Sequence, residues 1–449
     1  MASQTFSQTE EDAIFIKEIH SHILKDGMCY DWLTTLSEDI GGRLTGSENA
    51  AKAVKYTGEE LAKIAERVEY QEVMVPHWIR GKKEIALAKN MSGETLKELN
   101  VTSLGNSLGS GDRGVEAEVI EVFSLDEVRE LGEKEISGKI VFYNRPMDAS
   151  LVNTFHAYGR AGDQRVNGPS VAAEFGAVGA IVRSLTTLTD NVPHTGTLRY
   201  KEGIPKIPAV AVSTMHANEL SEMMKNEKVV LYIETHSEIL SDKPSHNVIA
   251  EIKGNEFPDE IILVGGHLDS WDLSGGAHDD GAGCVHAMEV MSALTSLKYQ
   301  PKRTLRVVLF MNEENGLAGG REYAKAAKDK NEYHLLAIES DAGGFTPRGF
   351  SFDAEDDIFA GLYRQVTELA PYMEPYNLYF SKGGSGADIS PLKDQRGLLA
   401  GLRPDSQRYF DFHHTANDNI QAVNERELKL GAAAMTSLVY LIDKYGLKR

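Results

Sequence analysis

The sequence predicts an α/β protein: a mainly parallel mixed sheet covered by helices on both faces, interrupted by an inserted β-rich domain. Three observations lead there. Short apolar runs at 247–252, 261–264, 305–310 and 333–338 alternate with helical stretches at 281–297 and 319–328. Unbroken apolar strands of this kind belong to sheets buried on both faces, with helices as the crossovers. The chain's 449 residues exceed what one core ordinarily organises. Between residues 112 and 239 the character changes to short strands without a cluster of potential metal ligands.

In chain order, residues 8–25 predict an amphipathic helix, with Ile16, Ile19 and Ile23 on one face and Gly27 just past its end. Residues 31–67 continue as helical segments around the turn Gly41-Gly42-Arg43-Leu44-Thr45-Gly46-Ser47. Alternation marks strands at 68–75 and 84–88. The insertion offers strands at 115–123, 139–143, 180–182, 209–212 and 229–234, with short helices at 170–176 and 217–225. It ends near the turn Ser241-Asp242-Lys243-Pro244. Residues 1–111 and 240–449 therefore read as one discontinuous catalytic domain, and 112–239 as the insertion.

A hydrophobic content of 41% and a charged content of 25% are those of a soluble globular protein. No stretch approaches ~18 consecutive apolar residues, so membrane insertion is not expected. The formal net charge of −20 argues against nucleic acid and anionic membrane surfaces as partners. Cys29 and Cys284 are the only cysteines, which excludes a disulfide framework or a cysteine-rich zinc module and leaves open whether these two pair. The first residues, Met1-Ala2-Ser3-Gln4-Thr5-Phe6, carry neither a basic nor an apolar leader segment. That is compatible with a cytosolic protein or with a leader already removed.

In open α/β sheets the reactive groups gather beyond the carboxyl ends of the strands. His267, Glu313, Glu314 and Asp341 each closely follow a strand candidate. Asp269 stands two residues after His267, where an acid can orient the ring and raise its basicity. Asp279 and Asp280 come in the next loop, and His413-His414 lie near the C-terminus. Such a crowd of acids beside apolar strands is costly without a cation. A two-metal hydrolytic site needs a bridging carboxylate, terminal ligands and a base, with metals ~3.5–4 Å apart. His267, Asp279, Glu314, Asp341 and His414 form a donor set suited to zinc, with cobalt or manganese as substitutes. Of the pair Glu313-Glu314, one can bind metal while its neighbour faces the water, since successive side chains point apart. Taken singly, each has a plainer reading: acids at a helix start, an Asp-Asp-Gly turn with an N-cap, an aspartate before Gly343-Gly344. Their shared position after strand ends favours one cleft.

These residues resemble the M28 zinc metallopeptidases. The likeness covers about 1–110 and 240–449 and rests on five ordered motifs: His267-Leu268-Asp269-Ser270, Gly276-Ala277-His278-Asp279-Asp280-Gly281-Ala282-Gly283, Asn312-Glu313-Glu314-Asn315-Gly316, Glu339-Ser340-Asp341-Ala342-Gly343 and His413-His414-Thr415-Ala416-Asn417-Asp418. The resemblance implies a zinc aminopeptidase-like fold with a protease-associated-like insertion. It implies two Zn2+ per chain, bridged by Asp279, with His267 and Asp341 completing one site and Glu314 and His414 the other. Glu313 becomes the general base for a hydroxide shared by the metals, and Asp269 the acid that orients His267. The continuation Ser270-Trp271-Asp272 and the loop Gly383-Gly384-Ser385-Gly386-Ala387-Asp388-Ile389-Ser390 resemble a subgroup of homodimeric carboxypeptidases that split dipeptides with free termini. Dipeptides or short peptides are then the expected substrates, with Ser385, Asp388 and His413 on the substrate side, and a secreted or periplasmic location. Two other readings share the fold: a single-zinc acyltransferase resembling glutaminyl cyclase, and a receptor-like binding protein that has lost its metals. The complete set of five ligands disfavours both.

Overall fold

The computed structural model describes residues 10–448, so the reading of the first six residues and the start of the first helix lie outside it. The chain divides into two compact units. One takes the chain up to Val75, then Lys243–Asp405, and resumes at Asn417; the other comprises Pro76–Asp242 with Ser406–Ala416.

The first unit is built on an eight-stranded sheet in the order Arg67–Ile79, Glu238–Ile252, Arg303–Phe310, Phe257–His267, Tyr333–Glu339, Leu398–Pro404, Pro347–Asp353, Tyr379–Lys382. Its centre is parallel, as Phe257–His267 runs with both of its neighbours and Tyr333–Glu339 runs with Leu398–Pro404. Antiparallel pairs flank that centre, Glu238–Ile252 with Arg303–Phe310 and Pro347–Asp353 with Leu398–Pro404. This is the expected mixed, mainly parallel sheet.

Successive side chains of a strand point to opposite faces, and here both faces are dry. Ile262 and Val264 pack with residues of the helices Ala282–Ser296 and Glu425–Tyr445. Ile261 and Leu263 pack on the other side with Tyr323 and Ala327 of the helix Ala318–Asp329. That explains the unbroken apolar runs in the sequence. The helix Glu425–Tyr445 was not foreseen; Asn424 caps it by accepting the Glu427 N–H, and Leu428, Met435, Leu438, Leu441 and Ile442 are wholly buried. Each such side chain contributes about 1.5–3 kcal/mol relative to exposure. In register, His267 lies opposite Phe310 and Gly265 opposite Glu339, so the loops that follow leave the sheet at one level.

The second unit has its own eight-stranded sheet, ordered Thr95–Leu99, Glu84–Lys89, Val230–Thr235, Val115–Val122, Ile140–Tyr143, Gly179–Arg183, Ala209–Val212, Val101–Ser103. Helices Leu125–Ile136, Thr154–Ala161, Gly168–Glu174 and Thr214–Asn226 accompany it, so it carries more helix than the β-rich expectation. The boundary expected at residue 111/112 falls elsewhere. Glu84–Lys89 pairs with Val230–Thr235, and Val101–Ser103 with Ala209–Val212, which draws residues 76–111 into this unit. Cys29 and Cys284 are buried free thiols. No described helix is long and apolar enough to cross a membrane.

Candidate active site

The strand Phe257–His267 ends on His267, whose backbone N–H donates to Asp280 Oδ2 at 3.0 Å. The other oxygen of Asp280 accepts the Gly283 N–H at 2.9 Å, so this buried carboxylate ties the strand end to the following helix. The His267 ring places Nδ1 3.0 Å from the backbone carbonyl of Asp269, which turns Nε2 towards the acids. Nε2 lies 3.3 Å from Asp279 Oδ1 and 3.6 Å from Asp341 Oδ1. Burial alone would lower the His267 pKa, yet Asp279 and Asp341 hold it well above the usual histidine value.

Asp279 is held by its backbone. Asp418 accepts the His278 N–H at 2.7 Å and the Asp279 N–H at 3.0 Å, one with each carboxylate oxygen. Burial pushes the Asp418 carboxyl up to about 7. His278 does not join the ligand set; it stacks on Phe345 and accepts the Gly344 N–H at Nδ1. Arg43, wholly buried, donates to the carbonyls of Leu268, Gly275 and Gly276 and so shapes the loop between His267 and Asp279.

The sequence assigns Asp269 to the His267 ring, and the structure gives its carboxylate a further set of partners. Its carboxylate is 3.9 Å from Nδ1. Oδ1 also accepts the N–H groups of Asn312 at 2.7 Å and Glu313 at 3.1 Å, and Oδ2 accepts that of Glu314 at 3.3 Å. Three amides converging on one carboxylate fix the loop that carries both glutamates. Asn312 takes a left-handed conformation at φ 78°, which asparagine tolerates, and its Oδ1 accepts the Ala318 N–H. Glu314 Oε1 accepts the Trp271 N–H at 3.2 Å and stands outside the His267–Asp279–Asp341 triad. Burial, then the acids Asp341 and Glu314, raise the Glu313 carboxyl well above its usual range, against the opposing pull of His267.

Glu339, at the end of its strand, accepts the Ala387 and Ile389 N–H groups at 2.9 Å each. Gly386 is pressed against it at φ 147°, where a Cβ would come within 2.4 Å of both carboxylate oxygens. This positions the loop bearing Ser385 and Asp388, both buried. Asp388 has no hydrogen bond on either oxygen, and burial, with Glu339 and Glu313, raises its pKa well above the usual value.

His413 and His414 belong to the second unit. Their rings stack at 3.5 Å, and His414 Nδ1 lies 3.3 Å from the Thr195 carbonyl. Beside them His194 is buried, and burial, with His414, lowers its pKa to about 3.

The donor set fits a divalent cation. One imidazole nitrogen and two carboxylate oxygens, from His267, Asp279 and Asp341, lie within 4.8 Å of one another. Burial first, and then the neighbouring acids, raise the Asp280 and Glu313 carboxyls, an effect that a bound cation would oppose.

Comparison with known proteins then settles the family. The model of peptidase family M28 matches residues 247–439. Carboxypeptidase Q of Mus musculus is 32% identical over 98% of this chain and 93% of its own length. The chain belongs to peptidase family M28. It is a metallopeptidase. This M28 peptidase is also similar to the crystal structure of a peptidase M28 precursor from Shewanella amazonensis, with a TM-score of 0.91, 33% identity and coverage of 98% of this chain and 99% of that one. A zinc aminopeptidase from Bacillus subtilis shares the fold, at a TM-score of 0.66 and 18% identity over 92% of this chain and 94% of its own.

Asp280, Asp418, Glu339 and Arg43 were not assigned roles from sequence. The first three are motif residues next to the assigned ones, and all but Arg43 act by accepting backbone N–H groups.

Proposed function

We propose that this M28 peptidase is a di-zinc exopeptidase that hydrolyses dipeptides or short peptides with free termini. The observation that carries the reading is the convergence of His267, Asp279 and Asp341 at the carboxyl ends of parallel strands, with Glu313 held on the adjoining loop. His267 and Asp341 would hold one ion, Glu314 and His414 the other, and Asp279 both; cobalt or manganese suits the same donors. Zinc, when bound, supplies Lewis-acid polarisation of the peptide carbonyl and brings the pKa of water towards ~7.

The chain's own groups do the rest. Glu313 takes a proton from the attacking water on its carboxylate and passes it to the leaving amine, a base turned acid. Asp269 keeps Glu313 and Glu314 in place through their backbone amides. Ser385, Asp388 and His413 are assigned to the substrate side. The second unit is assigned as a protease-associated-like domain. The similarity to carboxypeptidase Q supports cleavage next to a free carboxyl terminus, a homodimer, and a secreted or periplasmic location.

The test is hydrolysis of unmodified dipeptides before chelation, after it, and on return of zinc. Loss and recovery of cleavage support the reading. Hydrolysis indifferent to chelation overturns it.

A further inference from the structure

Arg165 lies on the short helix Asp163–Val166 of the second unit and is only 6% exposed. Its Nη2 donates to the Tyr158 hydroxyl at 2.6 Å, and its guanidinium carbon lies 5.3 Å from the centre of that ring. Nε is buried without a hydrogen-bond partner. Among the described residues no carboxylate comes within ion-pair distance; the acid nearest in sequence, Asp163, is paired with Arg145. The other buried arginines are all compensated. Arg306 pairs with Glu251 and Glu332, Arg303 with Glu260, and Arg43 is satisfied by three carbonyls. A buried cation left without a counter-charge is destabilising. A fold that keeps one has a use for an incoming anion.

Gly196 connects Arg165 with His414. A Cβ on Gly196 would lie 2.5 Å from Arg165 Cζ and Nη1 and 2.7 Å from His414 Nδ1. The guanidinium and the His414 ring therefore flank the same glycine, where a side chain would have no room. Within this one unit, Arg165 sits beside the histidine that the proposed function makes a zinc ligand. A guanidinium presents a planar fork of donors that matches a carboxylate in two parallel hydrogen bonds.

We propose that Arg165 binds the free α-carboxylate of the peptide substrate and so restricts this peptidase to cleavage beside a carboxyl terminus. The inference deepens the exopeptidase reading and rests on it for the link to His414. A free α-carboxylate is the one anion that every unblocked peptide carries, whatever its side chains. Binding at Arg165 replaces the missing counter-charge.

The test compares alanyl-alanine with alanyl-alanine amide on the full zinc-loaded chain. A charge-assisted pair predicts kcat/KM about 10- to 100-fold higher for the acid, carried by KM. In Arg165→Met that ratio collapses towards one, and Arg165→Lys restores part of it. Alanyl-glutamic acid α-amide, whose only carboxylate is on the side chain, should behave like the amide. Calorimetric titration of N-acetylalanine against its amide reads the same site without turnover, and its heat of binding should disappear in Arg165→Met. Equal handling of acid and amide by the unsubstituted protein, a ratio unchanged in Arg165→Met, or a preference that follows the side-chain carboxylate overturns the proposal. If neither peptide is cleaved, the peptidase reading fails separately, and the calorimetry still decides the carboxylate site.

Discussion

Replacing Asp269 by asparagine separates two roles for that residue. Its carboxylate accepts three backbone N–H groups, from Asn312 at 2.7 Å, Glu313 at 3.1 Å and Glu314 at 3.3 Å, while the ring nitrogen of His267 is 3.9 Å away. Asparagine keeps the shape but loses the charge, and one of its two terminal groups becomes a donor facing donors. Hydrogen bonds to a charged group are worth about 1.5–3 kcal/mol each, and neutral ones about 1. One bond is lost and two are weakened, and relief of a buried charge offsets part of that. The expected loss of stability is about 2–4 kcal/mol. The larger effect is on the loop: a displacement of Glu313 by about 1 Å costs on the order of 100-fold in kcat. Affinity for the ion assigned to His267 and Asp341 should change little, because the His267 ring is oriented by the Asp269 backbone carbonyl, which the substitution leaves in place, whereas the ion assigned to Glu314 on the displaced loop should be held more weakly. The assay pairs kcat on a dipeptide with zinc affinity from chelator competition. Normal kcat in the zinc-loaded variant together with a 10- to 100-fold weaker affinity for the ion assigned to His267 would refute the reasoning and return Asp269 to the histidine.

Glu313→Gln should keep the fold and the metal while turnover falls about 10²- to 10⁴-fold, read by steady-state kinetics on protein of verified zinc content. Asp279→Asn should weaken both zinc ions together, since a bridging ligand serves each; loss of one ion alone in a chelator titration would place the bridge elsewhere. Glu289, on the helix Ala282–Ser296, accepts the Met28 and Cys29 N–H groups at 2.7 and 2.9 Å, and burial raises its carboxyl from 4.5 to about 7. Folding thus favours its protonated form, so its contribution is full below pH 4.5 and is lost as pH rises through about 7. Glu289→Gln should flatten the decline in stability between about pH 5 and 8 by up to about 3 kcal/mol, measured by urea denaturation.

The central strands and the positions of His267, Glu313, Glu314 and Asp341 were legible in the sequence. Burial on both faces writes itself as unbroken apolar runs, and the polar residues that end such runs stand out. The supporting groups were not. Asp280, Asp418 and Glu339 work by accepting backbone N–H groups, and an amide carries no residue type for a pattern to reveal. Asp269 was read from its spacing to His267, whose ring it approaches to 3.9 Å, but its grip on the Asn312, Glu313 and Glu314 amides was not, because backbone partners on the next strand end leave no trace in that spacing. The boundary of the second unit was misplaced for a related reason. Glu84–Lys89 alternates in the manner of any half-buried strand, and only its pairing with Val230–Thr235 assigns it. Ser406–Ala416 joins that unit through contacts as remote as His414 with Thr195.

The most direct test of the central claim is the zinc content of the purified full chain, with dipeptide hydrolysis followed through chelation and metal return. The expected result is about two zinc ions per chain, with activity that disappears on chelation and returns with the metal. About one ion per chain at full activity would contradict the bridged pair and favour a single-zinc enzyme. No tightly bound metal and no zinc-dependent cleavage would contradict the active site itself.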